Sequence, residues 1–257
     1  KFDPSCYNNV FIGNQNNLYK STDGGASYNL VYAFGTSVNA RISYMEIGWQ
    51  NPNVMYVVQR PATGNVGKIW KTTDGGVTFT QLTIPTTTGS SSRILLTINP
   101  ENDNELWIAY AGGANGQKLF HTNDGGLTWN NISNASHNSQ EGRSLLYVAG
   151  TNGALYYFTN TTAHYSPDNG ATWSVVNSGL PLYLNALYAR PFYRDGKIRI
   201  STYGKGIFED DFIDQPQRVV ARPQVDKLNY VINCTADSFY FEDHSVMNHQ
   251  GASWQWQ

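Results

Sequence analysis

The chain has 257 residues, with 17 basic and 19 acidic side chains, a formal net charge of −2 and a charged fraction of 14%. This balance excludes a basic nucleic-acid reader and an acidic tail, and no apolar run approaches the roughly 18 residues of a membrane-spanning helix. Seven Trp, 17 Tyr, 11 Phe and 24 Gly beside only three Met favour strands and turns over helices, so the expected class is all-β.

Lys1-Phe2-Asp3 reads as neither an initiator methionine nor a signal peptide, so the segment is expected to begin inside a longer chain. Leu18-Tyr19-Lys20 is the first strand that runs into a turn, Ser21-Thr22-Asp23-Gly24-Gly25-Ala26-Ser27-Tyr28. The same succession returns at Ile69-Trp70-Lys71 before Thr72-Thr73-Asp74-Gly75-Gly76-Val77-Thr78-Phe79, and at Leu119-Phe120-His121 before Thr122-Asn123-Asp124-Gly125-Gly126-Leu127-Thr128-Trp129. A fourth turn is Ser166-Pro167-Asp168-Asn169-Gly170-Ala171-Thr172-Trp173. The aspartates are spaced by 51, 50 and 44 residues, the length of a four-stranded propeller blade. Asp-Gly and Asn-Gly supply the positive φ of a tight hairpin, and the carboxylate accepts loop amides. Asp23, Gly25, Asp74, Gly76, Asp124, Gly126, Asp168 and Gly170 are therefore expected to be structural, with the aromatic that ends each turn packed into its blade.

Between the turns, Arg41-Ile42-Ser43-Tyr44, Arg93-Ile94-Leu95-Leu96 and Arg143-Ser144-Leu145-Leu146 open the first strands of successive blades. Asn51-Pro52-Asn53 and Asn99-Pro100-Glu101-Asn102-Asp103-Asn104 mark the turns to the second strands. Beyond the fourth turn, Leu184 to Tyr188 and Lys197 to Glu209 continue as strands. Three strands in an opening blade, four in each of three blades and three in a closing blade give about four to five blades. A closed ring of six or seven needs more, so further blades are expected outside residues 1–212. Residues 213–227, with Gln215-Pro216-Gln217 and Arg222-Pro223, read as a linker. Residues 228–257 read as the start of a second β unit, too short to bury a core alone.

The turn pattern resembles the Asp-box, or BNR repeat, of sialidases, xyloglucan-type endoglucanases, sortilin-type receptors and many non-catalytic surface propellers. The resemblance implies a β-propeller whose boxes face away from the ligand site. Ser201-Thr202-Tyr203-Gly204-Lys205-Gly206-Ile207-Phe208-Glu209 resembles the signature that closes such propellers in proteins of the type IX secretion class. Phe241-Glu242-Asp243-His244-Ser245 followed by Ser253-Trp254-Gln255-Trp256 resembles the opening of a PKD domain, an immunoglobulin-like β-sandwich. Together they imply an extracellular or bacterial cell-surface protein whose partners are the remaining blades and downstream domains of its own chain, with a glycan or surface protein as ligand.

Chemistry is sparse. Two far-separated cysteines, Cys6 and Cys234, and five scattered histidines, at 121, 137, 164, 244 and 249, form no metal or redox motif, and no cofactor is expected. Four Asn-x-Ser/Thr sequons, at Asn131, Asn134, Asn160 and Asn233, are what an Asn- and Thr-rich chain produces by chance. Glu209, Asp210, Asp211 and Asp214 read as a solvated strand edge. A glycosidase needs two carboxyl groups facing across a cleft, and only Glu46 and Asp195 are candidates, so no catalytic residue is assigned. Arg41 follows Asp23 by 18 residues, and Arg93 and Arg143 follow Asp74 and Asp124 by 19. Three guanidiniums from first strands of adjacent blades either converge on an anionic glycan at the channel or each cap their own blade; in the fourth position Leu187 stands instead. Tyr183, Tyr188, Phe192 and Tyr193 are the densest aromatic group for sugar stacking. The leading expectation is a non-catalytic binding or adhesion platform, with a secreted glycoside hydrolase and a structural spacer or filament subunit as alternatives.

Overall fold

The computed structural model describes residues 1–35, 40–64, 66–226 and 240–246. Five antiparallel meander sheets follow one another along the chain. The first holds β1 (Val10–Asn14), β2 (Asn17–Ser21) and β3 (Asn29–Ala33); the second β4 (Arg41–Ile47), β5 (Met55–Arg60), β6 (Lys68–Thr72) and β7 (Thr80–Gln81). The third holds β8 (Ser90–Asn99), β9 (Asn102–Gly112), β10 (Leu119–Thr122) and β11 (Asn130–Asn131). The fourth holds β12 (Gly142–Tyr147), β13 (Leu155–Thr159), β14 (Ala163–Ser166) and β15 (Ser174–Val175); the fifth β16 (Ala186–Phe192), β17 (Lys197–Thr202) and β18 (Gly206–Asp211). This is a partial propeller of five blades with the division of strands that the repeat spacing predicts. The blades form an open arc, and no strand of the fifth pairs with the first. Lys1 and Phe2 run beside β1, where the Phe11 amide donates to the Lys1 carbonyl at 2.8 Å.

The core lies between blades, which explains why the second strands are apolar without alternation. In β5, Met55 and Val57 enter the cluster shared with the first blade, whereas Tyr56 and Val58 enter the one shared with the third. In β9, Leu106, Ile108 and Tyr110 face the second blade, and Trp107 and Ala109 face the fourth. Each Val, Leu, Ile or Met among them, fully buried, contributes about 1.5–3 kcal/mol. Trp107 is sandwiched between His121 and Tyr147, with ring centroids 4.9 and 4.8 Å away, and its Nε1 donates to the Asn169 carbonyl at 3.1 Å.

The four hairpins share one bonding scheme. The first Ser or Thr hydroxyl donates to the aspartate at 2.6–2.8 Å and accepts the amide of Gly25, Gly76, Gly126 or Gly170 at 2.8–3.1 Å. Ser27, Thr78, Thr128 and Thr172 then give both amide and hydroxyl to the carboxylate. The hydroxyls of Ser21, Thr78 and Thr122 lead in holding Asp23, Asp74 and Asp124, respectively, well below the usual carboxylate range.

In the second to fourth blades the aromatic that ends the turn packs into its own blade, as expected: Phe79 shares a cluster with Met55 and Val57, and Trp173 Nε1 donates to the Gly170 carbonyl at 2.9 Å. Each also meets the preceding blade. Phe79 meets Tyr32 and Phe34, Trp129 Nε1 donates to the Thr83 carbonyl at 3.1 Å, and Trp173 Nε1 donates to the Ile132 carbonyl at 3.2 Å. The cause is geometric: the turn sits at the outer end of the sheet, where the nearest apolar surface is the neighbouring blade's last strand. Tyr28, at the same position in the first blade, is 37% exposed.

Residues 213–226, within the expected linker, lie against the propeller. Arg218 grips both carboxylate oxygens of Glu101 at 3.0 and 2.9 Å and donates to the Thr151 carbonyl at 2.6 Å, while Val220 and Val246 pack on Ala149 and Trp49. Two further strands, β19 (Pro223–Val225) and β20 (Phe241–Asp243), pair antiparallel. Val225 of β19 donates its amide to the Ser5 carbonyl and accepts the Tyr7 amide of the N-terminal loop, and the free thiol of Cys6 between them is buried. Of the two stretches that carry the PKD-like resemblance, Ser253 to Trp256 lies outside the described residues, as does Cys234. Among the described residues no helix is long and apolar enough to cross a membrane.

Candidate functional site

The inner strands β4, β8, β12 and β16 run in one direction along the channel, so their first residues share one mouth. That mouth opens into a cavity of about 430 Å³ lined by Arg41, Arg93 and Arg143 together with Tyr44, Leu187 and Tyr188. A fourth guanidinium, Arg60, joins them. It was missed in the sequence because it ends a second strand; its register partner in β4 is Arg41, which carries its side chain to the same place.

The four charges are not equivalent. Glu141 bridges two of them, accepting from Arg93 Nη2 at 2.7 Å and from Arg143 Nη2 at 3.0 Å. Arg93 also donates to the Gly142 carbonyl at 2.6 Å, so it ties the third blade to the fourth rather than capping its own. Burial, with Arg143 and Arg60 close by, pulls the Arg93 pKa below its ordinary value against the opposing pull of Glu141. Arg41 and Arg60 have no hydrogen-bond or ionic partner among the described residues.

The carboxylate candidates do not face one another as free acids. Glu46, towards the opposite end of the channel, is bound by Lys1 Nζ at 2.6 Å. Asp195, in the β16–β17 turn, is bound by Arg199 at 2.7 Å. Glu209 and Asp211 lie along β18, where they pair with Arg199 and Lys197, as a solvated edge requires. Of the four aromatics, Tyr188 lines the mouth, and Tyr183, which does not line it, is 69% exposed. Phe192 is covered by the Arg199 guanidinium at 4.0 Å, and Tyr193 accepts the Ala149 amide at 3.0 Å. No group of three metal-ligating side chains occurs among the described residues.

Against known proteins, residues 16–140 match the sequence profile of the Sortilin-Vps10 family, described as sortilin, neurotensin receptor 3. A xyloglucanase of Hypocrea jecorina (strain QM6a) is 25% identical over 177 residues, covering 66% of this chain and 18% of that protein. Among solved structures, an ancestral GH74 enzyme superposes with a TM-score of 0.62 at 16% identity, over 81% of this chain and 30% of the other. The GH74 xyloglucanase of Xanthomonas campestris gives 0.62 at 14% identity, over 78% and 32%. These structural likenesses show the propeller fold. The chain spans about a fifth of the curated relative and about a third of these structures.

Proposed function

We propose that this chain is a propeller segment of a secreted glycoside hydrolase acting on a polysaccharide, and that the open mouth of its channel is the glycan-contacting face. The observation that carries this reading is the similarity to a xyloglucanase across two thirds of the chain. It reverses the order expected from the sequence, in which adhesion led. The mouth supports it: Tyr188 lines the cavity, with the Arg190 guanidinium over its ring at 4.7 Å, and sugars stack on such aromatic rings. Hydrolysis takes two carboxyl groups flanking the bond. Glu46 and Asp195 are each held by a cation, so the segment supplies binding surface and at least one reacting carboxyl comes from elsewhere in the protein.

That shortage of free facing acids is also the specific observation in favour of a non-catalytic glycan-binding platform as the second reading. Two assays separate them: release of reducing ends from xyloglucan by the intact protein, and retardation of this chain in a native gel containing xyloglucan. Release with retardation is expected. Retardation without release moves the balance to the binding platform, and the absence of both contradicts the polysaccharide reading.

A further inference from the structure

Building on the polysaccharide reading, we propose that the Arg41–Arg60 corner of the mouth binds the carboxylate of a uronic-acid-bearing glycan. The mouth gathers four guanidiniums around one cavity, and a single carboxylate, Glu141, is held by two of them. The other two, Arg41 and Arg60, stand opposite each other on paired strands and make no bond among the described residues. Like charges held side by side raise each other's energy, and an anion relieves this. The chemistry of that anion is already displayed in the site. Glu141 between Arg93 and Arg143 shows a carboxylate accepting from guanidiniums of two different blades, and the planar guanidinium fork matches carboxylate geometry.

The surroundings suit a sugar as the carrier. A cavity of about 430 Å³ falls within the range of small-ligand pockets, roughly 300–1,000 Å³. Its walls include Ser43, Tyr44 and Tyr188, which combine hydroxyls with ring faces. Arg143 adds a buried Nε with no partner, so the cationic lining has donors to spare. The polysaccharide reading supplies the carrier; the carboxylate specificity rests on the arginines themselves.

The test compares trigalacturonate with its fully methyl-esterified form, which has the same shape without the charge, by isothermal titration of the chain and of the Arg41→Gln/Arg60→Gln double variant. Neither side chain makes a bond among the described residues, so the variant keeps the fold, with its melting curve as the check. The unsubstituted chain is expected to prefer the free acid by about tenfold or more, as for a lost charge-assisted bond, to lose that preference in high salt, and to lose it in the double variant. An unchanged preference in the variant overturns the proposal. So does binding of a sulfated trisaccharide as tight as that of trigalacturonate, because it removes the carboxylate specificity. Xyloglucan oligosaccharide is titrated in parallel: if it does not bind while the galacturonate preference follows the arginines, the carboxylate site stands and the xyloglucan-type reading falls.

Discussion

His137 and His164 are fully buried, and their rings meet edge to face with centroids 4.8 Å apart. Their separation in sequence gave no sign of this, because His137 lies in the connection between β11 and β12 and His164 on β14, and the packing of that connection on the fourth blade leaves no local spacing. His137 Nδ1 accepts the Asn134 amide at 3.1 Å and His164 Nε2 meets the Thr162 hydroxyl at 2.6 Å, while the remaining nitrogens have no partner. Burial, aided for His137 by the neighbouring His164 and Lys118, lowers their pKa values to about 3 and about 4. Both are therefore neutral in the folded chain where the unfolded chain, titrating near 6.5, binds protons. Their contribution is fully present above pH 6.5 and is lost as the pH falls below it. By pH 5 the loss is about 2 kcal/mol per histidine. Urea unfolding at pH 7, 6 and 5 should show this decline, and a flat profile would contradict the burial of both rings as neutral groups.

Among elements, the hairpins were legible and their role between blades was not. The Asp-x-Gly spacing carries the local bonds, since the aspartate, its hydroxyl partners and the glycine amide all lie within a few residues. What the sequence does not display is the partner across the gap. Gly126 has φ +95°, and a Cβ there would lie 2.6 Å from Leu82 Cδ1, beyond the last strand of the preceding blade. Ala at this position meets both left-handed strain and the Leu82 methyl, so Gly126→Ala should destabilise by about 1–3 kcal/mol. Leu82→Ala removes the second obstacle and leaves the first. Denaturant midpoints of the single and double variants should therefore show the pair costing less than the sum of the two. Strict additivity would mean that the hairpin and the neighbouring blade are not in contact.

Over the whole molecule, blade number and strand order followed from the repeat because each blade is a local meander. The convergence of Arg41, Arg93 and Arg143 on one cavity followed from the same register, whereas Arg60 and the bridging Glu141 needed the pairing of strands and the stacking of blades. Residues 213–226 read as a linker because their contacts are remote: Arg218 finds Glu101, and β19 finds the loop around Cys6, more than a hundred residues away. They and Val246 pack near the end of the channel opposite the arginines, which leaves the arginine mouth open for a ligand. Hydrogen exchange of the chain with and without a xyloglucan oligosaccharide tests that assignment most directly. Slowed exchange confined to the starts of β4, β8, β12 and β16 and the end of β5 is the predicted result. Slowed exchange at the four hairpins on the outer edge, with none at the mouth, would contradict it.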